Sequence, residues 1–259
     1  MAAACPQAYV ALAQQLAEAA GAVIRTYFRR PFDVEHKDDA SLVTIADREA
    51  EAAMRRIIAR EAPEHGVVGE EHGAERAEAE WVWQLDPIDG TNSFVTGSPL
   101  FGTLIALVHR GEAVLGLMEQ PILGERWLAY GAETTTLNGR PCWTRACPEL
   151  ARAVHLTSGP EYFTGGREAA LRRLVAATKL TRYSADCYAV GLLVGGHVDV
   201  VVETGLQAHD YAALVPIVEN AGGVCSNWRG QRHDMASDDD FVATGDPSLH
   251  EKVLEILRG

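Results

Sequence analysis

An apolar run that stops at two aspartates is the feature that most constrains the fold of this chain. Residues 81–85 read WVWQL, a pattern typical of a buried strand, and DPIDGT follows at once at residues 86–91. Because proline has no N–H to donate and restricts the residue before it, we expect the strand to end at Asp86 and both acids to lie on a turn. Paired carboxylates beside Gly90 suit a metal-dependent phosphate site, whereas an Asp-rich turn is the simpler structural alternative.

The order of predicted elements divides the chain near residue 147. A chain of 259 residues is at the upper limit for a single core, so two sub-domains or one large mixed domain are expected. Residues 1–146 contain a predicted helix from Pro6 to about Arg29, a second helix starting near Thr44, and then mainly strands, which is typical of an α+β half. Residues 147–259 alternate strands with helices, which indicates an α/β half.

Composition argues against several classes of protein. The net charge of −13 opposes binding to nucleic acid or to an anionic membrane, and no segment is long enough to span a bilayer. The five cysteines are odd in number and form no CxxC pair, which favours reduced thiols in the cytoplasm over disulfides or a zinc site. The Ala-rich segment at residues 1–20 lacks a basic region, so we expect a helix there and not a signal peptide.

Further acidic residues lie at the ends of other predicted elements. Glu70 and Glu71 follow a predicted strand at 67–69, Asp210 precedes a predicted helix at 211–221, and Asp47 lies in the first turn of the second helix. Each has a local explanation, since Asp47 and Asp210 suit helix N-termini and Glu71 suits a solvated face. If the fold brings these carboxylates together, cations must neutralise them, and all-oxygen ligands favour Mg²⁺, Mn²⁺ or Ca²⁺ over zinc.

Four separated blocks of the sequence resemble the inositol monophosphatase superfamily of Mg²⁺-dependent phosphatases. The blocks are KDDASLVTIADREAE at 37–51, GEE at 69–71, DPIDGTNSF at 86–94 and HDYAALVPIVENAGG at 209–223. The resemblance implies a layered αβαβα sandwich, a phosphate monoester as the substrate and a homodimer as the usual assembly.

The resemblance also implies which residues hold the metal ions. One Mg²⁺ would be held by Glu70, Asp86 and the backbone carbonyl of Ile88, and a second by Asp86, Asp89 and Asp210. A third, weaker ion would lie near Glu70 and Glu71, and Mn²⁺ is an alternative metal. Two or three ions per subunit are therefore expected.

Thr91 and Asp47 are the implied catalytic residues, which would orient and activate the attacking water. Gly90 and Thr91 can open a helix whose N–H groups point at the phosphate, although a plain N-cap role for Thr91 is the structural alternative. The predicted substrate-binding residues are Glu70, Ile88, Asp89, Gly90, Thr91, Asp186, Glu203 and Asp210.

Within the superfamily, the chain is most similar to the histidinol-phosphate phosphatase branch. The similarity lies in FGTLIAL at 101–107, EQPILGERW at 119–127, TTTLNGRPCWTRACPEL at 134–150, GPEYF at 159–163 and especially TRYSADCYAVGLLVGGHVDVVVE at 181–203. Inositol-specific members usually have a small residue where this chain has Asp186, and carboxylates at Asp186 and Glu203 would attract the ammonium group of histidinol phosphate. The local alternatives are an N-cap role for Asp186 at a helix starting near Cys187 and a turn-facing carboxylate for Glu203.

Three functions are consistent with these patterns. The leading one is a histidinol-phosphate phosphatase of histidine biosynthesis, and the second is an inositol 1-phosphate or broad sugar-phosphate phosphatase. The third is a non-catalytic partner in RNA-related assemblies, as some superfamily members are, but retention of every implied ligand argues against a pure scaffold. Ser158 lies outside any G-x-S-x-G elbow, so a serine hydrolase is not expected.

Overall fold

The structure, a computed structural model, describes residues 5–31, 34–36, 42–235 and 239–259. Residues 37–41, which belong to the first family block, therefore lie outside the described part of the chain. Two long helices, α1 (Gln7–Tyr27) and α2 (Ile45–Glu61), pack against each other, and a small antiparallel sheet of β1 (Val34–His36) and β2 (Leu42–Thr44) lies between them in the chain. Both predicted helices are confirmed.

The start of α2 is fixed by a reciprocal pair of hydrogen bonds. The Thr44 hydroxyl accepts from the Ala46 N–H at 3.1 Å, and the Asp47 carboxylate accepts from the Thr44 N–H at 2.8 Å. Such a capping box satisfies N–H groups that have no partner within the helix. Asp47 is consequently held in one position at the first turn of α2.

An eight-stranded sheet occupies the first half of the chain, in the order β10-β9-β8-β7-β6-β5-β3-β4. Its elements are β3 (Gly66–Gly69), β4 (Gly73–Glu75), β5 (Trp81–Asp89), the short helix α3 (Thr91–Val95), β6 (Gly102–His109), β7 (Glu112–Gln120), β8 (Glu125–Tyr130), β9 (Thr136–Leu137) and β10 (Arg140–Pro141). All neighbouring strands are antiparallel except β3 and β5, which are parallel. Because β3 and β5 run in the same direction, Glu70, which follows β3, lies at the same end of the sheet as the aspartates at the end of β5.

A five-stranded sheet occupies the second half, in the order β12-β11-β13-β15-β14. The elements are the 3₁₀ turn Leu150–Arg152, β11 (Val154–Thr157), the 3₁₀ turn Pro160–Tyr162, α4 (Gly166–Ala177), β12 (Leu180–Tyr183), α5 (Tyr188–Val194), β13 (Val200–Leu206), α6 (Ala208–Tyr211), α7 (Leu214–Asn220), β14 (Val224–Ser226), β15 (Asp239–Thr244) and α8 (Pro247–Arg258).

Three apolar clusters stack these elements into five layers. The first joins α1 and α2 to one face of the large sheet, and the second places α5 to α7 between the two sheets. The third joins the outer face of the small sheet to α4 and α8. The layered αβαβα sandwich is thus confirmed, while the division of the chain near residue 147 stays a prediction.

The predicted end of strand β5 at Asp86 is wrong. The strand continues through Pro87 to Asp89, and its pairing with β6 shifts between Asp86, opposite Leu104, and Asp89, opposite Gly102. One extra residue on β5 forms a bulge, which is where an internal strand tolerates a proline. The two acids therefore lie on a bulged strand and not on a turn.

The predicted helix at 211–221 forms as two short helices, α6 and α7. Pro216 has no N–H to pair with the Ala212 carbonyl, so a continuous helix would lose a hydrogen bond there. The break leaves Asp210 on a short helix of its own. Within the described residues, no helix is both long and apolar enough to cross a membrane.

Candidate active site

Three aspartates from distant parts of the chain converge at one end of the large sheet. Asp86 and Asp89 come from the bulge of β5, and Asp210 comes from α6. Each offers one carboxylate oxygen, and these three oxygens lie within 4.8 Å of one another. Asp86 is buried, whereas Asp89 and Asp210 are partly exposed.

Glu70 and Glu71 reach the same region on the turn after β3. The Glu70 N–H donates to the Leu85 carbonyl at 3.2 Å, which ties this turn to the strand that carries Asp86. From α2, the buried Glu51 carboxylate accepts the Glu71 N–H at 2.7 Å. Glu51 thus positions the turn, a role that the sequence reasoning missed although the residue lies in the first family block.

Burial and mutual repulsion disfavour the charged form of the carboxylates in this group. Burial, followed by the charges of Glu70, Asp89 and Asp210, raises the pKa of Asp86 well above its ordinary value. Burial and the charges of Asp186 and Asp210 also raise the pKa of Asp89, although the Cys187 N–H donates to its carboxylate at 2.6 Å. The folded chain therefore gathers negative charge that needs protons or cations to neutralise it.

Asp47 adds a buried oxygen to this region. Its Oδ2 accepts from both the N–H and the hydroxyl of Thr44, at 2.8 and 2.5 Å. Its Oδ1 is buried without a hydrogen-bond partner among the described residues. Burial is the main cause that raises the pKa of Asp47 to about 7, with smaller contributions from the charges of Glu71 and Glu70.

Thr91 opens α3, and Gly90 is the residue that caps it. Gly90 has φ 87°, a left-handed conformation that favours glycine, and no side chain caps the helix. The N-cap alternative for Thr91 is thus wrong, while the predicted start of a helix at Gly90 and Thr91 is confirmed. The Thr91 hydroxyl donates instead to the Ile88 carbonyl at 3.2 Å.

This donor set fits a hard divalent cation. The converging groups are carboxylates, and one more buried carboxylate oxygen, Asp47 Oδ1, has no partner among the described residues. Mg²⁺ and Mn²⁺ prefer such all-oxygen sites. All five cysteines are free thiols, as predicted.

A second group of acids lies further along the same cleft. The Asp186 carboxylate accepts from the Ser93 hydroxyl at 2.8 Å, and a Cβ on Gly90 would lie 2.7 Å from Asp186 Oδ2. The absence of a side chain at Gly90 therefore allows Asp186, from the second half of the chain, to pack against the start of α3 in the first half. The N-cap alternative for Asp186 is wrong, because Cys187 is the N-cap of α5 and no side chain caps that helix.

Glu203 is a buried strand residue, so the turn-facing alternative is wrong. Its carboxylate accepts from the Ser158 N–H at 2.7 Å and from the Thr157 hydroxyl at 3.3 Å. Burial, the largest cause, raises the pKa of Glu203 to about 8, although the hydrogen bonds from Ser158 oppose the shift.

The two groups of acids share one cavity. It is lined by Asp89, Ser158, Asp186, Cys187, Val190, Val201, Glu203, Leu206, Asp210, Leu214 and Phe241. The sequence reasoning missed Ser158, which lines this cavity and whose backbone N–H donates to the Glu203 carboxylate. Its position directly after β11 is the signal that could have found it, since ligands bind at the carboxyl ends of parallel strands.

Comparison with known proteins identifies the family. A sequence model of the inositol monophosphatase family matches residues 6–259. The bifunctional phosphatase IMPL2, chloroplastic, of Arabidopsis thaliana is 46% identical over 258 residues, which cover 96% of this chain and 75% of that protein. A histidinol-phosphatase of Chlorobaculum parvum is 37% identical over 223 residues, which cover 85% of this chain and 86% of that protein.

A solved structure shows the same fold. The structure of an inositol monophosphatase from Zymomonas mobilis is 43% identical and superposes with a TM-score of 0.89, covering 96% of this chain and 97% of that one. Enzymes of this family depend on a metal ion, typically Mg²⁺. From the span of the family match, the identities and the shared fold, we conclude that this chain is a phosphatase that belongs to the inositol monophosphatase family.

Proposed function

We propose that this phosphatase hydrolyses L-histidinol phosphate to L-histidinol and phosphate, a reaction of histidine biosynthesis, with Mg²⁺ as its cofactor. The observation that carries the proposal is the pair Asp186 and Glu203, whose carboxylates line the same cavity as Asp89 and Asp210. The 37% identity to a histidinol-phosphatase supports it. As in the family assembly that the sequence implies, the enzyme would act as a homodimer.

At the phosphate end, the proposed metal ligands are those implied by the sequence. Glu70, Asp86 and the Ile88 carbonyl would hold one ion, Asp86, Asp89 and Asp210 a second, and Glu70 with Glu71 a third. Bound Mg²⁺ supplies positive charge that neutralises the phosphate oxygens and acidifies water in the site. The proximity of the three aspartate oxygens supports this assignment.

Thr91 and Asp47 would act on the attacking water. In this proposal the Thr91 hydroxyl orients the water and passes a proton toward Asp47, whose Oδ1 has no partner among the described residues. Gly90 lets the backbone approach the phosphate, because it has no side chain in the way.

At the other end, Asp186 and Glu203 would bind the ammonium group of the leaving alcohol. A polyol offers only hydroxyl groups and gains less from two carboxylates than a cation does. Ser93 and Ser158 hold the two carboxylates in place through the hydrogen bonds described above.

Phosphate release by the purified protein tests the proposal. We expect the highest kcat/KM for histidinol phosphate, lower values for inositol 1-phosphate and a nucleotide 3′-phosphate, and no turnover of any of them without Mg²⁺. Inositol 1-phosphate is the second candidate substrate, favoured by the similarity to the Zymomonas mobilis enzyme. Faster release of phosphate from inositol 1-phosphate than from histidinol phosphate would contradict the leading proposal.

A further inference from the structure

An exposed aromatic side chain stands beside the acids that we assign to the leaving group. Tyr162 ends the 3₁₀ turn Pro160–Tyr162, and 46% of it is exposed. It belongs to none of the three apolar clusters of the described residues. No described cluster of the core therefore accounts for a large aromatic ring at this position.

The ring is nevertheless held in place across the cleft. Asn92 Nδ2 donates to the Tyr162 hydroxyl at 2.7 Å, and Asn92 follows Thr91 directly on α3. The contact joins two residues that are 70 positions apart in the chain. Tyr162 is thus fixed relative to the helix that carries the proposed catalytic threonine.

Negative charge surrounds the phenol. Burial of its hydroxyl end is the main cause that raises the pKa of Tyr162, and the charges of Asp186, Glu161 and Glu203 add to the effect, while the Asn92 hydrogen bond opposes it. The phenol consequently stays neutral at physiological pH. Its π-face and the neighbouring carboxylates favour the same kind of ligand, a cation.

The adjacent turn adds one more carboxylate at the edge of the cleft. A Cβ on Gly159 would lie 2.4 Å from Glu161 Oε1, so glycine at this position lets the Glu161 carboxylate fold back over the turn. Ser158, the preceding residue, lines the cavity. The turn at 158–162 therefore brings both an acid and an aromatic ring to the leaving-group end.

We propose that Tyr162, which stands at the rim of the cavity and is not one of the residues that line it, determines specificity at the leaving-group end, where its ring and Asp186 together hold a leaving group that carries a protonated amine or an imidazole ring. The inference rests on the proposed function and extends it to a residue of the GPEYF segment to which the sequence analysis assigned no role. A cation over an aromatic face is attracted by the ring quadrupole, whereas an uncharged polyol gains only dispersion contacts.

Kinetics of two Tyr162 variants test the role of the ring. Tyr162→Leu removes the ring, and we expect the KM for histidinol phosphate to rise about tenfold with kcat within about twofold of wild type. The KM for inositol 1-phosphate should stay within about twofold. Tyr162→Phe keeps the ring and loses the Asn92 hydrogen bond, so its KM for histidinol phosphate should stay within about threefold of wild type.

Trp143→Leu is the control, because Trp143 is likewise an exposed aromatic residue, at 61%, but among the described residues no hydrogen bond joins it to α3 as one joins Tyr162. This variant should leave both KM values unchanged. If Tyr162→Leu changes the KM of both substrates equally or of neither, or if Tyr162→Phe is as impaired as Tyr162→Leu, the inference is wrong.

Titration calorimetry with L-histidinol separates this inference from the proposed function, because it requires no turnover. Wild type should bind L-histidinol about tenfold more tightly than Tyr162→Leu does. Equal binding by the two proteins overturns the role of Tyr162 even if wild type prefers histidinol phosphate. A third outcome is that wild type hydrolyses inositol 1-phosphate faster than histidinol phosphate, while Tyr162→Leu binds L-histidinol more weakly than wild type does. That result overturns the proposed substrate and leaves the ring as the cation site.

Discussion

The two ends of the cleft hold their carboxylates in different ways. At the phosphate end, Asp86, Asp89 and Asp210 bring oxygens within 4.8 Å of one another, and burial, followed by the neighbouring negative charges, raises the pKa values of Asp86 and Asp89. At the leaving-group end, Asp186 and Glu203 each accept a hydrogen bond from a serine. In the proposed function, the phosphate end therefore binds the Mg²⁺ cofactor, and the other end binds the cationic group of the substrate.

The largest effect should come from Asp89, which belongs to the phosphate end and also lines the shared cavity. Asp89→Asn removes a proposed metal ligand, so we expect kcat to fall about 10³-fold on both histidinol phosphate and inositol 1-phosphate. The same change relieves repulsion from Asp186 and Asp210, and the metal-free protein should melt about 2–4 °C higher, equivalent to about 1 kcal/mol.

Steady-state kinetics and thermal melts in EDTA measure the two effects, and Glu133→Gln, at an exposed turn residue, is the control for a lost surface charge. If Asp89→Asn keeps its activity, or if it loses activity and also melts at a lower temperature in EDTA, the phosphate end has a structural role.

A smaller loss is expected from Thr91→Ala. The hydroxyl is proposed to orient water and not to hold metal, so kcat should fall about 100-fold while the Mg²⁺ affinity measured by calorimetry changes less than about threefold. Thr91→Ser, which keeps the hydroxyl, should lose less than about tenfold. Equal losses of turnover and Mg²⁺ binding in Thr91→Ala would make Thr91 part of the metal site.

The phosphate end was largely predictable from sequence, because its acids stand next to strand and helix signals in the chain. Asp86 and Asp89 follow an apolar run, and Thr44 with Asp47 matches a capping box that the structure contains. The bulge at Pro87 was not predicted, since strand pairing decides whether a proline ends a strand or distorts it.

The leaving-group end was harder to predict, because its contacts join residues far apart in the chain. Ser93 and Asp186 are 93 positions apart, and Asn92 and Tyr162 are 70 apart. Tyr162 belongs to GPEYF at 159–163, a segment similar to the histidinol-phosphate phosphatase branch, but neither this segment nor Ser158 by itself indicates which side chain reaches the cleft. Their placement depends on how the two sheets pack around α5 to α7.

The pH dependence of stability without metal reports the buried acids directly. The pKa values of Asp47 (about 7) and Glu203 (about 8) lie above the ordinary values of 3.8 and 4.5. The folded protein thus keeps protons that the unfolded chain has lost, so these groups stabilise it fully below about pH 4 and their contribution is lost as the pH rises toward 8.

Histidines with lowered pKa values act in the opposite direction, but only below their ordinary value of 6.5. Between pH 7 and 8.5 we therefore expect the melting temperature in EDTA to fall, and the fall to be smaller in Glu203→Gln. Mg²⁺ binds the deprotonated carboxylates and should restore stability in this range. A melting temperature in EDTA that rises with pH from 7 to 8.5 would contradict the raised pKa values.

The most direct test of the two-ended cleft is the substrate preference of Asp186→Asn. Asparagine keeps an acceptor for the Ser93 hydroxyl and tolerates the left-handed backbone at this position, φ 42°, so only the charge is removed. We predict that the ratio of kcat/KM for histidinol phosphate to that for inositol 1-phosphate falls about tenfold or more, while the value for inositol 1-phosphate changes less than about threefold. A ratio that stays at the wild-type value would contradict the assignment of a cation-binding end.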